Sequence, residues 1–282
     1  MTLLFLGLLG GLFHVAGSGV HSFEAVAALD ISAKLQGSSR QVHVKADVGP
    51  EALWGDLYSV RIEATKFETD GLPLYTESKR SHRGLVRNLH LELRDFSLKG
   101  LHIDRLSADI PGCRYDFPLA VRHRQIRLSQ SGTGEGEVVI GERDLESFIL
   151  SKFPEIKRAN VKIDRGEVVV EGYGEFLVIA TNFRVAARLE VVDGNKLVLA
   201  GAQILFDGRI ADDASQRVLL DTLNPVVDLD KDLALFGAIT VKHIELREGK
   251  LIASGPIRIP ELPAKNTTET GTKLRSGALL QE

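Results

Sequence analysis

The residues in this chain that could do chemistry are spaced in ways that withhold most of it. The run SGTGEGEVVIG places glycines at Gly132, Gly134 and Gly136. That spacing is neither a dinucleotide fingerprint nor a phosphate-cradling loop. No lysine follows to meet a phosphate, and the segment leads into a strand, so it reads as a flexible turn. The histidines are scattered: His43, His90 and His243 fall on the polar faces of their strands, and no two share a metal-ligand spacing. Arg122-His123-Arg124 reads as a wet edge. Cys113 is the single cysteine, which excludes an internal disulfide and a cysteine-rich zinc site, and it reads as a small buried hydrophobe. There is no Gly-x-Ser-x-Gly elbow, and the carboxylates sit mostly in turns or on strand exteriors, where no glycosidase-like pair stands out. The expectation is therefore no catalytic residue, no metal and no cofactor.

Basic residues do cluster. Lys79, Arg80, His82, Arg83 and Arg87 surround one loop, and Lys152, Lys157, Arg158 and Lys162 follow a helix. Their ordinary role is solvated surface, and their functional one is contact with anionic lipid head groups. A net charge of -3 argues against a nucleic-acid partner.

The elements that carry these residues are chiefly strands. VHVKADV, SVRIEAT, NLHLELR and NFRVAARLEVV alternate apolar and polar positions, as strands with one dry face do. Asp70-Gly71, Asp193-Gly194, Asp207-Gly208 and Glu248-Gly249 read as hairpin turns. The pattern predicts roughly ten strands, mostly joined as hairpins in sequence order. GERDLESFILSKFP predicts a helix with Leu145, Phe148 and Ile149 on one face. ADDASQRVLLDTLNP predicts another, capped by Asp212 or Asp213, with Val218, Leu219 and Leu223 inward. SFEAVAALDISAKLQG is a candidate third. The class is α+β: a long curved antiparallel sheet of hairpins packed on two or three helices.

Leu3 to Val20 is an apolar run without a charged side chain, followed by small residues at Ser22 and Ala25 to Ala27. It predicts a signal peptide or membrane anchor over residues 1–27, although no Lys or Arg precedes it. A folded domain over 28–260 and a polar, aperiodic, disordered tail over 261–282 follow; the tail holds the sequon Asn266-Thr267-Thr268.

From Gly100 to Gly255, the segments GLHIDRLSADIPGCRYD, GEGEVVIGERDLESFI, VKIDRGEVVVEG, RLEVVDGNKLVLAG and LNPVVDLDKDLALFGAITVKHIELREGKLIASG occur in an order that resembles the LmeA-like phospholipid-binding family of bacterial exported proteins. Looser similarity reaches back to about Gln36. The resemblance implies a fold similar to tubular lipid-binding proteins, in which a curved sheet wraps a helix and opens an apolar groove. It implies phospholipid, or a membrane surface, as partner and an extracytoplasmic place in the periplasm or cell envelope. It supplies no catalytic residue.

Two or three short helices do not cover roughly ten one-sided strands, and the remaining apolar face can accept acyl chains. The expected lining is Leu145, Phe148, Ile149, Phe183, Val185 and Leu189, with Arg80, Arg83, Lys157 and Arg158 toward head groups. The expected function is to hold or shuttle phospholipid without catalysis. The alternative is a structural or interaction protein of the envelope whose sheet its own helices cover.

Overall fold

Alternating apolar side chains make two curled sheets of this chain. The structure, a computed structural model, describes residues 21, 23–176 and 179–261. Most of the expected leader, and the expected tail beyond 261 with its sequon, lie outside the described residues. Helix α1 covers residues 23–32 and buries Ala27, so the fold takes up residues that the sequence reading assigned to the leader. Strand β1 (Gln41–Val48) and a 3-10 turn (Pro50–Trp54) follow, then β2 (Asp56–Thr69), β3 (Gly84–Leu98) and β4 (Leu101–Tyr115). Next come α2 (Phe117–His123), β5 (Leu128–Gln130), β6 (Gly134–Gly141) and α3 (Glu142–Lys152). The chain continues through β7 (Ile156–Asp164), β8 (Glu167–Phe176), β9 (Ile179–Val192), β10 (Lys196–Phe206) and β11 (Arg209–Ile210). It closes with α4 (Asp213–Leu223), β12 (Val227–Asp228), β13 (His243–Arg247) and β14 (Lys250–Ile257).

The described residues thus form fourteen strands rather than roughly ten, divided between two sheets. The larger has the order β1-β2-β3-β4-β6-β14-β13 with β5 beside β4, and the smaller β11-β10-β9-β8-β7 with β12 beside β10. The hairpins expected at Asp193-Gly194, Asp207-Gly208 and Glu248-Gly249 form. The one expected at Asp70-Gly71 does not. Strands β2 and β3 run parallel, from Asp56 opposite Leu85 to Thr69 opposite Leu98. Parallel neighbours need a crossover, and residues 70–83 supply it as a strap across the sheet. Thr76 N donates to Pro260 O at 2.9 Å and Glu77 N to Leu128 O at 2.8 Å, pinning the strap at both sides.

The larger sheet keeps its dry face by two coordinated phase steps. In β2 the inward residues run Leu57, Val60, Ile62, Ala64, Phe67 and Thr69, with three-residue steps at 57–60 and 64–67. Strand β3 takes the same steps at Val86–Leu89 and Leu93–Phe96, and β4 at Ile103–Leu106 and Ile110–Cys113. The steps lie in register across all three strands, and Lys66, Asp95 and Gly112 adopt positive φ there. An extra residue in a strand bends it and increases its twist; aligned across neighbours, such steps curl the sheet.

Strand β6 lies close against β4. A Cβ on Gly134 would come 1.7 Å from the Asp109 carbonyl oxygen, so a glycine is required here for the strands to approach. Helix α3 forms as expected and buries Leu145, Phe148 and Ile149. Helix α4 takes its cap from Asp212, which accepts from the Ala214 and Ser215 amides. Leu219 and Leu223 point inward, but Val218 is 58% exposed, against the expectation. Helix α2 was not foreseen, being too short to show a period. Asp116 accepts from Leu119 N to start it.

Candidate functional site

The dry face of the larger sheet is incompletely covered, and the uncovered part is a chain of three cavities. The first, ≈ 130 Å³, lies deepest. Ile62, Ala64, Phe67, Leu91 and Phe96 floor it, the strap residues Leu72 to Leu74 cover it, and Leu233, Leu235 and Ile239 close its far side. Phe67 and Phe96, placed inward by the second phase step, stack with ring centroids 4.9 Å apart. The second cavity, ≈ 400 Å³, runs beneath α1 and the strap over Val60, Val86 and Leu89. The third, ≈ 600 Å³, opens between α1, α2 and the 3-10 turn.

These cavities adjoin one another along the face of the larger sheet. The first and second share Ile31, Ile62, Leu72, Pro73 and Leu74 as walls, and the second and third share Phe23, Tyr115 and Ile126. The two outer volumes fall within the range of small-molecule pockets. Val86 and Leu98 both line the groove on β3. At about 3.3 Å per residue the strand carries the lining over roughly 40 Å. One leaflet's acyl layer, half of a bilayer's hydrocarbon core, is about 15 Å deep. Polar groups are few along this path. Thr69, Glu137 and Arg258 touch the first cavity, and Asp30, Lys34, Glu77 and Arg127 the second. The latter four form a bridged set: Asp30 pairs with Lys34 at 3.1 Å and with Arg127 at 2.9 Å, and Arg127 lies 3.5 Å from Glu77.

The lining residues expected from sequence lie elsewhere. Leu145, Phe148 and Ile149 on α3 and Phe183, Val185 and Leu189 on β9 belong to the layer between α3 and the smaller sheet. Leu145, Ile149 and Leu189 meet around a space of only ≈ 20 Å³, about enough for one water. Val185 is fully buried, and Phe183 packs edge-on against Phe176 with centroids 6.0 Å apart. Protein covers this face. Alternation identifies a dry face without saying what dries it, and the groove lining of β2, β3 and the strap was passed over for that reason. The legible signals were the phase-stepping quartets ATKF, LRDF and IDRL and the apolar GLPL of the strap.

The four expected head-group residues do not gather either. Arg80 is paired with Glu77 at 2.6 Å, and Lys157 donates to Pro154 O at 2.9 Å. Arg158 stacks on Tyr173 at 5.6 Å, on the smaller sheet. Arg83 alone lines the groove, at its mouth, together with Arg122 and Arg124 of the supposed wet edge. Lys152, counted among the surface cations, turns inward. It donates to Pro225 O at 2.8 Å, Val226 O at 3.1 Å and Asp232 Oδ2 at 2.5 Å, tying α3 to the segment after α4.

Away from the groove, the fold assembles one polar cluster that the spacing of histidines did not disclose. His102, Asp104 and Asp144 each bring a ligand atom within 4.8 Å of the others. His102 Nε2 lies 3.0 Å from Asp95 Oδ1, and Nδ1 lies 2.9 Å from Asp144 Oδ1 in a contact not aligned as a hydrogen bond. Partial burial disfavours the charged ring, but the two carboxylates outweigh it and raise its pKa. Asp95 and Asp144 thus favour the protonated ring. Cys113 is buried, and desolvation pushes its thiol up, away from nucleophile or ligand chemistry.

The family model described as LmeA-like phospholipid-binding matches residues 18–255, most of the chain, and the chain belongs to that family. No curated protein and no solved structure matches it.

Proposed function

We propose that this member of the LmeA-like phospholipid-binding family is an extracytoplasmic carrier that lays acyl chains along the groove of its larger sheet and catalyses no reaction on them. The observation that carries the reading is the adjacency of three largely apolar cavities that share walls from the mouth to the one lined by Phe67 and Phe96. Removing acyl chains from water favours such a site by about 0.8 kcal/mol per methylene, on the order of 10 kcal/mol for a dozen. Transfer from a bilayer exchanges one apolar surrounding for another and is nearly neutral. A groove of this kind therefore exchanges lipid with membranes more readily than it withholds lipid from them, which supports shuttling or presenting over storage. The uncharged apolar run Leu3–Val20 supports export.

An acyl hydrolase needs a nucleophile and a base converging on the bound lipid. Among the described residues, the charged groups of the second cavity are a basic and acidic set paired with one another, which suits a head group or a latch better than bond cleavage. Extraction of purified protein into organic solvent followed by mass spectrometry tests the reading. Close to one phospholipid per chain is expected, and Leu91→Trp, which fills the floor of the first cavity, should lose most of it. Wild-type protein that carries no lipid and takes none from vesicles would leave the covered-core alternative in place.

A further inference from the structure

The mouth of the groove differs from the rest of the surface. Leu53 and Trp54 on the 3-10 turn are 51% and 71% exposed, and Val121 on α2 is 63% exposed. A Cβ on Gly55, at φ +88°, would come 2.6 Å from the Phe117 ring, so the turn and α2 sit in direct contact and form one rim. Leu53 and Val121 both line the third cavity, making the exposed apolar patch continuous with the groove's interior. Exposed apolar side chains that stand singly are ordinary, but a patch of this kind marks a contact surface.

The charges around the patch point one way. Arg83, Arg122 and Arg124 line the same opening and form no ion pair with a carboxylate among the described residues. The carboxylates nearby are already engaged. Glu51 accepts from the Tyr58 hydroxyl at 2.9 Å, Asp56 holds Arg87 at 2.8 Å, and Asp116 caps α2. The chain also enters the fold here, since Phe23 and Val26 line the third cavity directly after the apolar run ending at Val20. An aromatic and aliphatic tip ringed by unpaired arginines is complementary to a bilayer interface whose head groups are anionic.

Resting on the reading that the groove takes lipid, we propose that this mouth docks on an anionic membrane, with Leu53, Trp54 and Val121 entering the interface and Arg83, Arg122 and Arg124 meeting lipid phosphates. Docking here brings the open end of the groove to the acyl region, so a lipid passes between bilayer and protein without crossing water. The inner end of the groove, around Phe67 and Phe96, then lies farthest from the membrane.

Trp54 is the chain's single tryptophan, so its fluorescence reports on this patch alone. The full chain is mixed with vesicles of phosphatidylcholine, with or without phosphatidylglycerol, and with phosphatidylcholine brominated along its acyl chains as quencher. The expected result is a blue shift and bromine quenching on anionic vesicles. Apparent affinity should fall about tenfold or more in high salt, and similarly in the variant Arg83→Glu/Arg122→Glu/Arg124→Glu, whose fold is checked by circular dichroism. A relocated reporter, Trp54→Phe/Ile210→Trp on the smaller sheet, should stay solvent-like.

Three results would overturn the proposal. In the first, Trp54 remains solvent-exposed on protein that floats with the vesicles. In the second, the shift is equal on neutral vesicles and in the triple variant. In the third, Trp54 is already buried before vesicles are added, which would assign the mouth to the chain's own N-terminal run or to a second copy. Lipid extraction separates this failure from that of the groove: bound lipid with a silent Trp54 removes the docking face alone, and a responsive Trp54 without bound lipid removes the groove alone.

Discussion

His102 joins three elements through charge. Asp95 comes from the end of β3, His102 from β4 and Asp144 from the first turn of α3, so the His102 ring links the helix to the outer face of the larger sheet. Its pKa is raised in the fold, so the folded chain binds the proton more tightly than the unfolded one. The resulting stability is fully present below the ordinary histidine value and is lost as pH rises through the higher folded value. The side chain is 38% exposed, and solvent screening holds such pairs to about 1 kcal/mol or less. The gap in thermal unfolding between wild type and His102→Ala should therefore be larger at pH 5.5 and narrow as pH rises toward 9. A constant gap would deny the charge a role. Nothing in the residue's sequence neighbourhood announces this cluster. The partners stand seven residues before His102 and forty-two after it, and only the β3–β4 hairpin and the packing of α3 bring them together.

At the scale of elements, what repeated locally was legible and what depended on distant pairing was not. Helix α3 and the three Asp-Gly or Glu-Gly hairpins followed from period and turn chemistry. Asp70-Gly71 looks the same as those turns, yet it opens a strap, because the partner that β2 finds is parallel. The glycine run read as a flexible turn leading into a strand, and what Gly134 permits is the close approach of the Asp109 carbonyl. Gly134→Ala should push β6 from β4 and cost at least about 2 kcal/mol, read as a lower urea midpoint. An unchanged midpoint would mean that the strands do not approach as described. The strap makes a separate prediction. Leu72→Asp/Leu74→Asp places carboxylates over the groove where both residues are only half-buried. Lipid content should fall about tenfold with little change in melting temperature, since the charges oppose an acyl chain more than they oppose the fold. Equal losses of lipid and of stability would make the strap a core element instead.

As a whole molecule, the chain uses the same kind of strand in two ways. The smaller sheet is closed by α3, α4 and the segment after α4. There the Asn224 side chain pairs with the Leu199 backbone in both directions, at 2.8 and 3.2 Å, and little space remains. The larger sheet is covered by α1, the strap, α2 and residues 229–241, and cavities remain between them. The class and the one-sided strands were readable because both rest on alternation. Which sheet would be left open was not, because that depends on how many elements return to cover each face. The central claim is that the open face takes acyl chains, and crosslinking locates them directly. A phosphatidylcholine carrying a photoactivatable diazirine in its acyl chain is loaded onto the protein and irradiated, and the labelled peptides are sequenced. The groove predicts label on β2, β3 and residues 72–74, around Ile62, Leu91 and Phe96. Label confined to α3 and β9, around Leu145 and Phe183, or no label on either sheet, would contradict it.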